Sequence, residues 1–542
     1  MVGQSDSGAE TPASSWLDKV LGWRRLTALV AGAIGAVGYP PLGLWPATLA
    51  SIAVLIWLVR DAPRWKAAAM RGWLFGVAHL TIANNWIATA FTHQSEMPAF
   101  LGWIAVPLLC LYLAIYPALA SALTHRLAAS KAVPVFVAVF AALWIVTEWL
   151  RSWVFTGYPW PPLGLALLGP FDRPGWAAVL PFTGTYALSG LAVLFAGAIL
   201  WALGGRRWLA LAGTAAVVIA GSFWPAGEER EGTLRYTLVQ PNFDQATLND
   251  PRQYEPSFLT IAAFSVREQT DEPRLVLWPE SALPDYLRPG YPLRYYVATT
   301  ARADPEFARQ RVADVIGENS LLLTGATDLE IGTDETGRER ALGAYNVVTA
   351  LDDQGDFAGS YSKAHLVPYG EYLALRWLLE PLGASRLVAG TIDFIPGPGP
   401  RTLELGEYGD AGIQICYEIV FSGQVTDRRN RPDYIFNPSN DGWFGAWGPP
   451  QHLAQARLRA IEEGLPVLRS TTTGISAVID ARGVVRRSLG AQERDKLDGF
   501  VPPAHAPTWF ARAGNWLPLG WAFLLMFGAL IASVIATRRA AR

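Results

Sequence analysis

Long apolar runs alternate with short polar segments over the first 224 residues, and one further apolar run lies near the C-terminus. A helix that crosses a bilayer needs about 20 predominantly apolar residues. We therefore predict eight membrane-spanning helices, over residues 26–40, 44–59, 72–91, 99–124, 132–150, 179–204, 208–224 and 517–537.

Between the seventh and eighth apolar runs, short apolar stretches alternate with amphipathic ones, which is typical of a layered α/β domain. Strands are predicted at residues 234–240, 274–278, 320–325, 345–351, 412–416, 434–436, 467–470 and 476–479. Helices are predicted at residues 252–268, 304–316, 422–430 and 450–463.

Lysine and arginine are distributed unevenly among the predicted loops. Basic segments precede the first span and follow the second, fourth, sixth and eighth, whereas the loops between them carry little charge. Because Lys and Arg collect on the cytoplasmic side of a membrane, this alternation predicts that both termini are cytoplasmic. It places the α/β domain on the opposite, extracytoplasmic side.

Charge divides the chain in the same way. Charged residues make up 17% of its 542 residues, against about 25% in soluble domains. Because nucleic-acid-binding proteins are rich in basic residues, this composition excludes that class. Residues 1–224 have a net charge of +6, whereas residues 225–514 have a net charge of −11. We predict a cytoplasmic tail, a seven-span membrane domain, a catalytic α/β domain, and an eighth helix with a cytoplasmic tail, over residues 1–23, 24–224, 225–510 and 511–542.

Three segments set a reactive side chain beside an apolar strand or a sharp turn. Glu280 follows Trp-Pro at a strand end and is a candidate general base. Lys363 lies with Glu371 in a segment that contains Pro and Gly, and a lysine near an acyl centre stabilises an oxyanion. Cys416 ends a predicted strand before the predicted helix at 422–430, where its thiolate is favoured. Each also has a plain structural explanation, as a solvated carboxylate, a surface loop or a buried thiol.

Other chemistry is not indicated. His365 and His452 have no cysteine or carboxylate at ligand spacing, and there is no Gly-rich phosphate loop, so we expect neither a metal nor a cofactor. A papain-like pair of Cys416 and His365 stays open, although no orienting partner is evident.

The segments WPES, YSKAHLVPYGEY and ICYE, in this order, resemble the nitrilase superfamily with its Glu-Lys-Cys triad. Further motifs resemble its membrane-bound branch, the apolipoprotein N-acyltransferase family. They are Asn85-Trp86, Glu148–Arg151, Thr156–Trp160, Ser439–Gly445, Pro450–Leu453, Ala456–Ala460, Leu468–Ala477 and Arg512–Trp516. The resemblance extends over nearly the whole chain from about residue 24.

The resemblance implies an extracytoplasmic nitrilase-like α-β-β-α sandwich on eight transmembrane helices of the bacterial inner membrane, with the catalytic domain on the periplasmic side. It implies acyl transfer from a phospholipid, phosphatidylethanolamine being expected, to the α-amino group of the N-terminal diacylglyceryl cysteine of an apolipoprotein. The implied route is a ping-pong reaction through a cysteine thioester that completes lipoprotein maturation. Membrane lipids are the other expected partners, and we expect a monomer.

The same resemblance implies roles for residues. Glu280 is the general base, Lys363 stabilises the tetrahedral intermediate and Cys416 is the nucleophile. The residues that support the site are Asn346, Glu371, Tyr417 and Glu418. The residues that line the acyl pocket are Trp443 and Phe444. The sequence departs from the family at Leu248-Asn249-Asp250, where members often have a Lys-Trp pair.

Two other functions stay open on sequence alone. A membrane-tethered amidase of the nitrilase type, acting on a small soluble substrate, would share the triad but gives no reason for eight spans. A non-catalytic lipid-binding or transport protein would have polar residues within its spans, and here these are few, chiefly His79 and Glu148.

Overall fold

The computed structural model describes residues 22–93, 98–266, 272–334, 337–379, 381 and 393–540. Its α-helices, in chain order, are α1 Gly22–Gly35, α2 Trp45–Arg60, α3 Trp65–Ala83, α4 Ile87–Ala90, α5 Leu101–Leu113, α6 Ile115–Ala128, α7 Val133–Arg151, α8 Leu180–Gly204, α9 Trp208–Ser222, α10 Gln245–Asn249, α11 Tyr254–Ser265, α12 Leu293–Thr299, α13 Pro305–Ile316, α14 Arg376–Leu379, α15 Gly448–Glu463, α16 Trp509–Ala513 and α17 Trp516–Ala540. Its strands are β1 Arg235–Gln240, β2 Arg274–Leu277, β3 Ser320–Thr333, β4 Glu339–Leu351, β5 Phe357–Ser362, β6 Thr402–Glu404, β7 Asp410–Ile413, β8 Tyr434–Ser439, β9 Val467–Thr471, β10 Ser476–Ile479, β11 Val485–Leu489 and β12 Asp495–Phe500.

Each of the eight predicted apolar runs contains a helix. The fourth run forms two helices, α5 and α6, which meet at Ala114. Among the described residues, four helical segments are long and apolar enough to cross a membrane, and α2 and α9 are shorter apolar helices. These segments are Leu101–Ala128, Val133–Arg151, Trp176–Gly204 and Trp516–Arg539. The N-terminal part is therefore a bundle of apolar helices, and α17 packs against α7 and α8 at its side.

The C-terminal part contains two six-stranded sheets, in the orders β12-β1-β2-β3-β4-β5 and β11-β10-β9-β8-β7-β6. Leu238 and Leu277 of one sheet share an apolar core with Ile435 and Leu468 of the other. On the outer face of the first sheet, Val276 packs with apolar residues of α11 and α13. Helix α15 contacts β9 and β10 of the second sheet. This arrangement is a nitrilase-like α/β domain with helices outside two stacked sheets.

Every predicted strand of this domain is present, although β3 and β4 extend beyond the predicted ranges. Strands β5, β6, β11 and β12 and helices α10, α12 and α14 were not predicted, and residues 267–268 of the predicted helix 252–268 lie outside the described residues. Residues 422–430 form turns instead of the predicted helix. Gly423 in this segment has a positive φ of 76°, and its polar residues lack the apolar spacing that would hold a helix on the core. Cys416 likewise lies beyond the end of β7 and opens a short 3₁₀ helix, Cys416–Val420.

Helix α15 attaches the α/β domain to the membrane helices. The Gln451 side chain accepts a hydrogen bond from the indole of Trp160 (2.8 Å) and donates one to the Ala83 carbonyl at the end of α3 (3.1 Å). The Glu462 carboxylate accepts hydrogen bonds from the backbone and hydroxyl of Thr185 in α8, both at 2.7 Å. These buried polar contacts fix the α/β domain at one end of the bundle, close to the loop that carries Trp160.

Candidate active site

The Glu280 carboxylate lies just beyond the C-terminal end of β2 and is buried. Its Oε1 accepts a hydrogen bond from the Asn346 amide on β4 (2.8 Å), and its Oε2 accepts one from the backbone N–H of Asn440 (2.8 Å). Both sheets therefore hold this one carboxylate in place. Its orientation is fixed before any substrate arrives, as a positioned general base requires.

Lys363 follows β5 and is fully buried, with Nζ 2.9 Å from Oε1 of Glu371 and 3.5 Å from Oε1 of Glu280. Asn346 also donates to Glu371 (3.0 Å), and Glu371 accepts the backbone N–H of Val367 (2.7 Å). Burial alone lowers the pKa of Lys363, but the charges of Glu371 and Glu280 outweigh it and raise that pKa above its ordinary value. The ammonium therefore stays charged although it is buried.

Cys416 adopts a left-handed backbone conformation, with φ of 51°, at the start of its 3₁₀ turn. Its carbonyl oxygen lies 3.0 Å from Nε2 of His452, which is completely buried on α15, and 3.5 Å from the Asn437 amide. A strained residue of this kind persists only where its surroundings hold it. Here His452 of α15 and Asn437 of β8 hold the Cys416 backbone in place.

The Glu418 carboxylate joins the cysteine turn to the lysine segment. Its Oε1 accepts hydrogen bonds from the Tyr361 hydroxyl (2.8 Å) and the backbone N–H groups of Ala364 (2.7 Å) and His365 (3.2 Å). Its Oε2 accepts the backbone N–H of Ile415 (2.8 Å). Burial raises the pKa of Glu418 to about 7, although these hydrogen bonds act to lower it. The position of Cys416 relative to Lys363 therefore depends on this carboxylate.

Electrostatics around the Cys416 thiol favour its protonated form at rest. Burial raises the pKa of this thiol well above its ordinary value, and the charge of Glu280 raises it further. The Lys363 ammonium acts in the opposite direction. The thiol therefore needs a base to become a nucleophile, and Glu280 is the carboxylate that the site sets beside it.

An aromatic cluster lies where the site meets the membrane helices. The buried Phe444 ring is 4.7 Å from Trp86 and 5.9 Å from Trp160, measured between ring centroids. The neighbouring Trp443 is half-buried, with His93 at 5.6 Å. Tyr417 is buried, and its hydroxyl donates to the Gly157 carbonyl at 3.5 Å. The two predicted acyl-pocket residues therefore lie between the α/β domain and the membrane part.

The remaining sequence candidates have defined places. His365 stacks on Phe421 at 4.3 Å, and its backbone N–H rather than its ring meets Glu418. Asn249 is exposed at the end of α10. The first residue of that helix, Gln245, instead donates to the Asn440 side chain at 2.7 Å. Helix α10, which contains the unusual residues Leu248 and Asn249, therefore contacts the site through its first residue, Gln245.

Sequence reasoning missed a buried polar network behind Cys416. His452 contacts Asp441 (3.0 Å), and the Arg469 guanidinium binds both carboxylate oxygens of Asp441 (2.9 and 2.7 Å). Burial and the charge of Arg469 both lower the pKa of His452, which favours the neutral ring. Asp441, His452 and Arg469 lie in the quoted motifs Ser439–Gly445, Pro450–Leu453 and Leu468–Ala477, but no local pattern indicates that these three segments meet.

Comparison with known proteins assigns the two parts of the chain separately. Residues 31–198 match the model of the apolipoprotein N-acyltransferase N-terminal domain, and residues 245–501 match the carbon-nitrogen hydrolase model. Among solved structures, an amidase from Nesterenkonia sp. is 18% identical with a TM-score of 0.32, over 51% of this chain and 94% of that chain.

Relatives of full length are much closer. An apolipoprotein N-acyltransferase of Rhodopseudomonas palustris is 33% identical, over 91% of this chain and 92% of that protein. One of Bradyrhizobium diazoefficiens is 35% identical over the same shares. The chain belongs to the apolipoprotein N-acyltransferase family. It is an N-acyltransferase that acts in lipoprotein biosynthesis, and its apolar helices fit a bacterial membrane protein of this family.

The arrangement of three reactive side chains fits an enzyme of this family. The acidic, basic and thiol side chains of Glu280, Lys363 and Cys416 come from three separate chain segments and meet at one end of the two sheets. Asn346, Glu371 and Glu418 connect them through hydrogen bonds. The chain therefore brings a buried carboxylate, a buried lysine and a buried thiol into one cluster, and an aromatic cluster lies between these residues and the membrane helices.

Proposed function

We propose that the chain transfers a fatty acyl group from a phospholipid, phosphatidylethanolamine in the first place, to the α-amino group of the N-terminal diacylglyceryl cysteine of apolipoproteins. The reaction passes through a thioester on Cys416. The observation that carries this proposal is a buried cluster of Glu280, Lys363 and Cys416 close to aromatic side chains of the membrane part. An acyl chain can reach such a site without leaving apolar surroundings.

In the first half-reaction, Glu280 takes the proton of the Cys416 thiol, and the sulfur attacks the ester carbonyl carbon of the phospholipid. Lys363 stabilises the oxyanion that forms, and one such donor contributes about 3 kcal/mol. The carbon–oxygen bond then breaks, and the proton on Glu280 passes to the departing oxygen of the lysophospholipid. The products are the lysophospholipid and an acyl thioester on Cys416.

In the second half-reaction, Glu280 takes a proton from the neutral amine of the lipoprotein as the nitrogen attacks the thioester. The carbon–sulfur bond breaks, and Cys416 regains its proton from Glu280. The ester and the thioester supply the activation, so we expect no metal or cofactor. Exclusion of water from the buried cluster protects the thioester from hydrolysis.

The location of the site suits two lipid-anchored substrates. A buried CH₂ group contributes about 0.8 kcal/mol to membrane anchoring, so extraction of a whole acyl chain into water is costly. Helix α15 and Phe444 hold the catalytic domain against the membrane helices. We place this domain on the periplasmic side of the inner membrane, with eight spans and cytoplasmic termini, because the predicted loops alternate in basic charge. We also propose a monomer.

The deciding experiment detects the acyl-enzyme. The purified full-length chain is incubated with phosphatidylethanolamine without acceptor, and a hydroxylamine-sensitive acyl group is sought on Cys416 by peptide mass spectrometry. We expect the group in the wild type and its loss in Cys416→Ala. Cys110→Ala is the matched control, since Cys110 is a free, buried thiol in α5 and should leave the labelling unchanged.

Two outcomes would contradict the proposal. Full acyl transfer by Cys416→Ala would exclude the thioester, and acyl-enzyme formation at the wild-type rate by Glu280→Gln would exclude Glu280 as the base. Hydrolysis of small soluble amides in the absence of any lipid would favour the membrane-tethered amidase instead. The assays therefore separate the chemistry of the site from the identity of its substrate.

A further inference from the structure

Apart from the candidate active site, the membrane helices carry a basic pocket at the end of the bundle that faces away from the catalytic domain. It is lined by Arg64, Trp65 and Lys66 at the start of α3 and by His125 and Arg126 near the end of α6, around a cavity of about 440 Å³. The opposite end of α3, at Ala83, contacts α15 of the catalytic domain. At 1.5 Å per residue, the pocket lies about 27 Å from that contact along the helix.

The cations of the pocket, Arg64, Lys66 and Arg126, have no carboxylate partner among the residues that the structure describes. The nearby Asp61 pairs with Arg24 and Arg71 instead. The cavity is therefore a concentration of positive charge that suits an anion.

Hydrogen bonds hold the two walls of the pocket together. The His125 ring donates through Nε2 to the carbonyl of Ala62, at 2.8 Å, and Arg60 donates to the carbonyl of Lys131, at 3.1 Å. Both bonds join the segment between α2 and α3 to the segment at the end of α6. The pocket is thus a defined part of the fold and does not rest on flexible side chains alone.

An apolar stripe leads from the pocket along α6. Ile115, Leu119, Leu123 and Leu127 follow one another at four-residue spacing, and each is between 41% and 56% exposed. Residues four apart lie on one face of a helix, and these span about 18 Å. One leaflet of a bilayer contributes about 15 Å of hydrocarbon, so the stripe matches the length of a lipid tail within one leaflet.

We propose that this pocket binds the headgroup of an anionic phospholipid in the leaflet opposite the catalytic domain, with an acyl chain lying along the stripe on α6. Cations without an ion-pair partner among the described residues, combined with an apolar path of this length, favour a lipid over a soluble phosphate compound. Basic pockets between membrane helices commonly bind anionic headgroups in this way. The site is distinct from the active site and does not depend on the proposed acyl transfer.

The test measures lipid retention by the full-length chain. Protein is incorporated into nanodiscs of equal parts phosphatidylethanolamine and phosphatidylglycerol, extracted into mild detergent, and analysed by native mass spectrometry. We expect the wild type to retain phosphatidylglycerol in preference. Each cation that contacts the bound headgroup contributes about fivefold to the affinity, so the double variant Arg64→Gln/Lys66→Gln should bind roughly 25-fold more weakly.

The matched control is Arg538→Gln/Arg539→Gln, which removes two charges from the last turn of α17. It should retain phosphatidylglycerol within about twofold of the wild type, and both variants should keep acyl transfer activity, which shows that they fold. Equal loss in the control would overturn the proposal in favour of diffuse attraction to basic loops. Displacement of the lipid by glycerol phosphate or inorganic phosphate alone would show a soluble-phosphate site and would also overturn it.

Discussion

Replacing Glu418 by glutamine tests whether this carboxylate positions the Cys416 thiol or mainly stabilises the domain. The carboxylate accepts four hydrogen bonds and donates none: three on Oε1 and one on Oε2 from Ile415. Glutamine can keep the three bonds only if its NH₂ group faces the Ile415 N–H. Two donors would then meet directly before Cys416, and the turn that carries the thiol must move.

The effect on stability is small because two contributions oppose each other. The lost charge-assisted hydrogen bond and the unsatisfied N–H cost about 2–4 kcal/mol. Burial raises the pKa of Glu418 from 4.5 to about 7, so the neutral glutamine regains roughly 3 kcal/mol that the buried charge costs at high pH. We therefore expect a net change within about 2 kcal/mol, whereas a shift of the thiol by 1 Å slows acyl-enzyme formation about 100-fold.

The assay is single-turnover acylation of Cys416 by a labelled phospholipid, with thermal unfolding of the same samples. Glu463→Gln is the matched control: burial raises the pKa of Glu463 to about 7 as well, but its carboxylate meets Thr426 at the far end of α15 (3.1 Å). We expect this control to acylate within threefold of the wild type, which is well below the 100-fold loss above. Wild-type acylation by Glu418→Gln would refute the positioning role, and an equal loss in Glu463→Gln would point to general destabilisation.

Three further predictions follow from neighbouring contacts. Asn346→Asp places a third carboxylate between Glu280 and Glu371, so acylation should fall at least about 100-fold, and an unchanged single-turnover rate would contradict this. Phe444→Ala removes a buried ring between the two domains, so stability should fall by about 3 kcal/mol and KM should rise more for long-chain than for short-chain donors. Because the pKa of Glu463 is raised to about 7 in the folded state, its stabilising contribution is complete below about pH 4.5 and is lost as the pH rises through 7. Glu463→Gln should therefore flatten the dependence of unfolding free energy on pH in that interval, and an unchanged slope would show that another group is responsible.

Apolar patterns predicted the central strands and the apolar helices of the N-terminal part because these elements are apolar along most of their length. Edge strands escaped detection for the opposite reason. The strand β12, with the sequence DKLDGF, is polar and partly exposed, and it is defined by antiparallel pairing with β1. Such a strand takes its conformation from a neighbour that is about 260 residues away in the chain. No local pattern could have revealed it.

The candidate site was predictable where chemistry dictates residue type and not where tertiary packing does. Glu280, Lys363 and Cys416 stand out through the turns and strand ends that carry them. His452 was considered only as a metal ligand and as part of the motif Pro450–Leu453, because nothing in the local sequence shows what its helix packs against. Here both faces of α15 are buried, one against the α/β domain and one against the membrane helices. Its polar residues are therefore interior groups. Gln451 bonds to the membrane helices, and His452 bonds to the Cys416 carbonyl of the α/β domain.

The arrangement of charges suits the proposed proton transfer from Cys416 to Glu280 within a buried site. Glu280 and Glu371 contribute two negative charges and Lys363 one positive charge, while Cys416 starts neutral. When the thiol proton moves to Glu280, the negative charge moves to sulfur and the net charge of the cluster does not change. A buried site cannot solvate additional charge, so a base within the cluster is more favourable than release of the proton to solvent. Glu371 then has a separate task, because its hydrogen bond and ion pair keep Lys363 charged while Glu280 is protonated. Removal of Glu371 should therefore impair catalysis even though it exchanges no proton itself, since the oxyanion would lose a cation held in a fixed position.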